Sequence, residues 1–203
     1  CTEESELELS ARYDARLTGI NKDRLMSGAL TEDEEATYRD KFRRRGHEFR
    51  SKLFLHELPP GSSVAGVRSA LEHAREVHPE APIMLVVDSP DHLMPVRKMD
   101  NNRLEQSAVY WYVKALTMDP TVLGKVAAWA TTQAPGAFEG KTLTAKAVSE
   151  SYDKARIADL MFGLMEGEAV AGATGGGTPV EGIITKNRLT RAKRWRIYME
   201  ADL

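Results

Sequence analysis

Residues Ile83–Val87 read IMLVV, an unbroken apolar run that stops at Asp88, and no other stretch constrains the fold as tightly. A strand with one wet face alternates apolar and polar side chains, whereas a strand covered on both faces does not. The run therefore predicts a strand buried in a parallel sheet, with Asp88 at its carboxyl end. Parallel neighbours need crossover connections, usually helices, and the flanking sequence carries helical patterns on both sides.

Upstream, Leu7, Ala11 and Leu17 recur among charges and predict a helix over residues 5–19. Thr31 followed by Glu34 forms a capping box for a second helix, with Tyr38 and Phe42 on its apolar side. The acidic start of that helix, Glu32–Glu35, suits the positive end of a helix dipole. Lys52–His56 reads as a strand stopped by Pro59, Pro60 and Gly61. Ser63 is expected to cap a helix in which Val67, Ala70, Leu71 and Ala74 follow the i, i+3, i+4, i+7 pattern. Downstream, a polar loop through Asn101 leads to a helix over about 104–116, and 122–132 holds a strand ending at Gln133. Residues 135–149 are polar and predict a loop. Strands are expected at 159–164, 182–185 and 196–200, with the tract GEAVAGATGGGTPVEG as a flexible hairpin connection. The predicted class is α/β: a largely parallel central sheet flanked by helices, closed by a C-terminal antiparallel hairpin, in one domain over 1–203.

Composition excludes several function classes. With 28 Lys plus Arg against 30 Asp plus Glu, the net charge of −2 excludes a uniformly basic nucleic-acid coat but not a local basic face. No apolar run approaches the roughly 18–20 residues that span a bilayer. A single Cys excludes a disulfide framework and a Cys-rich zinc site, which fits a reducing cytoplasm. The histidines His47, His56, His73, His78 and His92 form no HExxH pair, so no structural zinc is expected. The chain opens at Cys1 and runs straight into the helical pattern of CTEESELELSARYDARL. A lipidated mature terminus would continue into a polar tether, so the expectation is a sequence that lacks its N-terminal part.

Three features bear on chemistry. In open parallel sheets ligands sit beyond the carboxyl ends of the strands, so Asp88 is placed for a metal-bound phosphate; a turn or helix-capping Asp is the plainer alternative. Gln133 ends a second apolar run in the same manner, where a neutral amide can sense a phosphate or an attacking water. Lys186, Arg188, Arg191, Lys193, Arg194 and Arg196 crowd an acid-free stretch that reads either as a solvated basic hairpin or as a phosphate-binding edge. Trp195 and Tyr198 in this stretch are packing residues before they are base-stacking ones. Residues 136–142 (GAFEGKT) imitate a phosphate loop but are one residue short, with Pro135 where the first glycine belongs. Proline has no N–H to offer a phosphate, so this loop is a decoy.

Taken in order, these pieces resemble the RecA-type ATPase core of DnaB-type replicative helicases, over nearly the whole chain. Glu3-Glu4-Ser5 followed by Arg12 looks like the segment that carries the catalytic glutamate, and MSGALTEDEEATY (26–38) resembles the glycine turn and acidic helix start. LVVDSPDHLM (85–94) is similar to the Walker B strand, and ATTQAP (130–135) to the motif whose Gln couples nucleotide state to the DNA loops. SESYDKARIADLMFGL (149–164) is similar to the DNA-loop-to-strand segment, and KNR (186–188) to the Lys-x-Arg pair. Ser149 stands where that family has an Arg. RadA/Sms-type repair ATPases share the EES and KNR signatures, but there the latter continues with aromatic and glycine residues rather than Leu189 and Thr190.

The resemblance implies ATP bound between subunits of a homo-oligomeric ring, expected to be hexameric. Glu3 is the implied general base, with Glu4 beside it, and Asp88 the indirect Mg²⁺ acid. Gln133 is the coupling residue, and Lys186 and Arg188 reach the γ-phosphate in trans. Loops at 95–103 and 135–150 are implied to track single-stranded DNA, with Arg103, Lys146, Ser149 and Glu150 as the nucleic-acid residues. The phosphate loop itself should precede Glu3, so these residues alone are expected to be inactive. The competing reading is a non-catalytic RecA-like module that serves binding or assembly.

Overall fold

The computed structural model describes residues 1–49, 52–119, 125–133, 152–166, 179–188 and 196–200. These fall into two compact units: Cys1–Arg97 with Ala115–Thr131, and Lys98–Lys114 with Thr132–Leu203.

Caps written into the sequence set the helix boundaries of the first unit. Ser5 caps α1 (Glu6–Thr18) in a reciprocal capping box with Glu8, and Gly19, at φ 77°, ends it in the left-handed conformation that glycine adopts without strain. Asn21 caps the short α2 (Lys22–Ser27), which the sequence pattern does not predict. Thr31 and Glu34 make the expected box at the start of α3 (Glu32–Phe49), with the Thr31 N–H donating to Glu34 at 2.8 Å. The Tyr38 hydroxyl donates to Asp14 at 2.8 Å and Arg24 pairs with Glu34 at 2.8 Å, which joins the three helices.

α4 (Ala65–Val77) buries Val67, Leu71 and Ala74 on one stripe, the pattern read from the sequence. Its N-cap is Val64, not Ser63; Ser63 instead accepts the Ala65 N–H at 3.3 Å. Arg75 ties the end of this helix to the turn that follows, donating to the carbonyls of His78, Pro79 and Ala81. β1 (Ile83–Val87) then pairs in parallel with β2 (Val126–Ala130), in the register Val86 to Trp129 and Val87 to Ala130. Only part of the expected burial appears: Val87 is buried, while Met84, Val86 and Trp129 are at least half exposed. Residues 52–56 are not a regular strand, yet the end of this stretch meets the start of the chain, where the Cys1 ammonium donates to the His56 carbonyl at 2.7 Å.

α5 (Asn102–Leu116) carries the buried Val109, Tyr110 and Val113. In the second unit α6 (Tyr152–Ile157) leads into an antiparallel sheet of β3 (Leu160–Glu166), β4 (Pro179–Asn187) and β5 (Arg196–Glu200), with β4 in the centre. Among the described residues the C-terminal antiparallel element thus comprises the three strands expected there. A Cβ at Gly182 on β4 would collide with the Phe162 ring, so a glycine is needed for this close approach. No helix among the described residues is long and apolar enough to cross a membrane.

Candidate functional site

The two groups of expected site residues lie in different units, and each has its own geometry. In the first unit the centre is the carboxyl end of β1. The Thr2 N–H donates to the Asp88 carbonyl at 2.6 Å. The buried Thr2 hydroxyl donates to the Ser89 carbonyl at 2.9 Å and accepts the Ser89 N–H at 2.9 Å. One hydroxyl thereby satisfies both backbone groups of a buried residue, which otherwise carry a desolvation cost. Because Thr2 is locked to Asp88-Ser89, Glu3 leaves this segment next to the end of β1. The Glu3 carboxylate lies 3.6 Å from His92 Nδ1, and the same nitrogen is 3.4 Å from the Thr2 hydroxyl. Glu4 turns away to pair with Arg12.

Asp88 is half-buried, and Thr131, just beyond β2, donates its hydroxyl to Asp88 Oδ1 at 2.5 Å. The parallel register makes this contact possible: Val87 pairs with Ala130, so the residues after them meet. The Thr131 N–H also donates to the Val87 carbonyl at 3.1 Å. The Asp88–Ser89 peptide is cis.

A divalent cation fits this end of the sheet in only one way. No three potential ligands cluster among the described residues, so these residues form no all-protein cage. A single carboxylate oriented by a threonine is what Mg²⁺ uses when water and phosphate oxygens complete its shell.

In the second unit Lys186 and Arg188 project from the end of β4. A register shift between Met161 and Phe162 offsets β3 against β4 at this point. Lys186 Nζ donates to the carbonyls of Ala155 and Ala158, the latter at 2.6 Å. The Arg188 guanidinium donates to the Arg156 carbonyl. These are carbonyls at the C-terminal end of α6, where the last turn lacks intrahelical partners and the dipole favours cations. Asp159, in the turn after α6, pairs with Lys114 through Oδ2 and with Arg188 through Oδ1 at 3.4 Å, and its carbonyl accepts the Arg188 N–H at 2.8 Å. The hydrogen bond from Lys114, followed by the lesser pull of Arg188, holds the Asp159 carboxyl below the usual range. Burial, and then the adjacent Arg188 charge, lowers the Lys186 ammonium.

Gln133 is exposed beyond β2 and Arg103 is exposed in the first turn of α5, its N–H on the Asn101 side chain at 2.8 Å. Lys154 donates to Thr132, beside Gln133, at 3.0 Å and lies over the Tyr110 ring. Lys146, Ser149, Glu150 and the decoy loop 136–142 lie outside the described residues. Sequence reasoning missed Thr2, Thr131, Lys114 and Asp159.

The fold of the chain is similar to that of a DnaB-like replicative helicase and of an ATPase domain. Among solved structures, the chain superimposes on a DnaB-like replicative helicase studied for its interactions with primase, with a TM-score of 0.73 and 16% identity, covering 97% of this chain and 46% of that one. It matches a second solved structure, an ATPase domain, equally well, at TM-score 0.73 and 16% identity, over 97% of this chain and 67% of that one. The chain thus spans about half the length of the first helicase. No family model and no curated protein sequence matches it.

Proposed function

We propose that these residues form the ATP-hydrolysing motor of a cytoplasmic helicase that moves along single-stranded DNA as a ring of identical subunits, expected to be a hexamer. The observation that carries this reading is the adjacency of Glu3 and Asp88 at the sheet's carboxyl edge, joined by Thr2, in a helicase-type ATPase fold. Glu3, close to the strand end and partly solvated, accepts a proton from the attacking water. Asp88, oriented by Thr131, would hold Mg²⁺ through water, and the ion would supply charge neutralisation at the phosphates. Lys186 and Arg188 offer cations to the nucleotide of the neighbouring subunit, and Gln133 relays its state. Arg103, Lys146, Ser149 and Glu150 are the residues assigned here to nucleic-acid binding, independent of sequence and weakened by salt.

The chain spans about half the length of the first helicase it resembles, so the reading is tested on the full-length protein. ATP turnover by that protein, measured with and without single-stranded DNA, tests it. Arg188→Ala is expected to lower turnover by about 10³–10⁵ if it acts as a trans finger. Wild-type turnover in that variant removes the finger assignment, and a full-length protein without any turnover is a binding or assembly module.

A further inference from the structure

The Lys-x-Arg pair is held by something the sequence pattern does not contain. Arg188 is fixed at its backbone by the Asp159 carbonyl and at its guanidinium by Asp159 Oδ1 and the Arg156 carbonyl. The other oxygen of the same carboxylate is anchored by Lys114 on α5. The two ends differ in solvation: the Lys114 side chain is 22% exposed, that of Arg188 51%. An ion pair is strongest where water is excluded, so Lys114 is the anchor and Arg188 the group being presented. Of the five N–H donors of a guanidinium, two serve these contacts, and among the described residues the others have no acceptor and can meet an anion.

We infer that Asp159 is the positioning residue of Arg188: anchored by Lys114, its carboxylate aims the guanidinium toward a phosphoryl group brought by a neighbouring subunit. The inference rests on the reading of Arg188 as a trans-acting cation. A long side chain free to explore its rotamers loses entropy when it docks on a transition state, and prior orientation removes much of that cost. The neighbouring Lys186 hydrogen-bonds to main-chain carbonyls of the same turn and feels Asp159 only through its charge, so the direct contact of Asp159 is with the arginine.

The test uses full-length protein carrying Asp159→Asn, Asp159→Glu or Arg188→Ala, with two readouts. The first is steady-state ATP turnover. Asp159→Asn is expected to lower kcat by about 10- to 100-fold with KM nearly unchanged, and Asp159→Glu to recover part of it. The second needs no nucleotide: arginine-selective dicarbonyl labelling, read by mass spectrometry, with the exposed Arg97 as internal reference. Arg188 should label several-fold faster in Asp159→Asn than in wild type, while Arg97 is unchanged. Wild-type kcat in Asp159→Asn alongside an inactive Arg188→Ala overturns the inference and leaves the finger intact. Unchanged Arg188 labelling also overturns it. Full turnover in Arg188→Ala defeats the finger reading instead, a result that Asp159 variants cannot mimic.

Discussion

Thr131 hands its hydroxyl hydrogen to the Asp88 carboxylate across the carboxyl ends of two parallel strands, at 2.5 Å. The contact follows from register alone, since Val87 and Ala130 are partners in the ladder. It fixes one oxygen of the acid proposed here to act on a cation through its water shell. Thr131→Val removes the donor at nearly constant volume. In the full-length protein the apparent Mg²⁺ affinity, from turnover against Mg²⁺ concentration, should weaken by about 10- to 100-fold, as for other partners of metal-binding carboxylates. Thr131→Ser should preserve it.

The Thr2 hydroxyl pairs with both backbone groups of buried Ser89. Thr2→Val takes the acceptor from the Ser89 N–H and leaves its carbonyl the longer bond from the His92 N–H at 3.4 Å, at a cost of about 1–3 kcal/mol in urea denaturation, whereas Thr2→Ser should stay within about 1 kcal/mol of wild type. Equal stability of the valine variant would show that the bridge contributes nothing.

Asp159 gives a pH signature of defined sign. Its folded-state pKa is depressed, chiefly by Lys114, so its contribution is present above the ordinary carboxylate range and fades as pH falls through the lower folded value. The stability difference between wild type and Asp159→Asn should therefore hold at neutral pH and shrink from about pH 4 downward. A difference that grows on acidification contradicts the ion pair.

Tyr38 reports the packing of the helices at the start of the chain. Burial and the hydrogen bond to Asp14 push its phenol up to about 12. A raised pKa gives stability that is complete below the unfolded value, near pH 10, and is lost as pH rises toward the folded one. Phenolate absorbance should contain a late-titrating component that Tyr38→Phe deletes.

Leu71 is 2% exposed on the buried stripe of α4. Leu71→Ala should cost about 2–5 kcal/mol, and a loss below about 1 kcal/mol would mean that the stripe is not part of a packed core.

Local signals are legible in the sequence and distant ones are not. Ser5 with Glu8 and Thr31 with Glu34 fix helix starts over three residues, and the α4 stripe repeats within its own helix. α2 and α6, at six residues each, are too short for a period to show. Glu3 and Asp88, the proposed first half of the site, are picked out by motif order. Its supports are not, because Thr2 meets Ser89 across 87 residues and Thr131 meets Asp88 across 43. Asp159 reads as the start of a strand, and its partner Lys114 lies 45 residues away. The sequence names such residues without naming their neighbours.

The Thr2 bridge has a consequence for genetics. Position 2 holds the segment in place through a buried hydroxyl, while position 3 presents a partly solvated carboxylate beside it. A saturation screen scored separately for cellular abundance and for activity should break sharply between these adjacent codons. Substitutions at Thr2 would deplete the protein itself, and those at Glu3 would leave its amount unchanged and silence it.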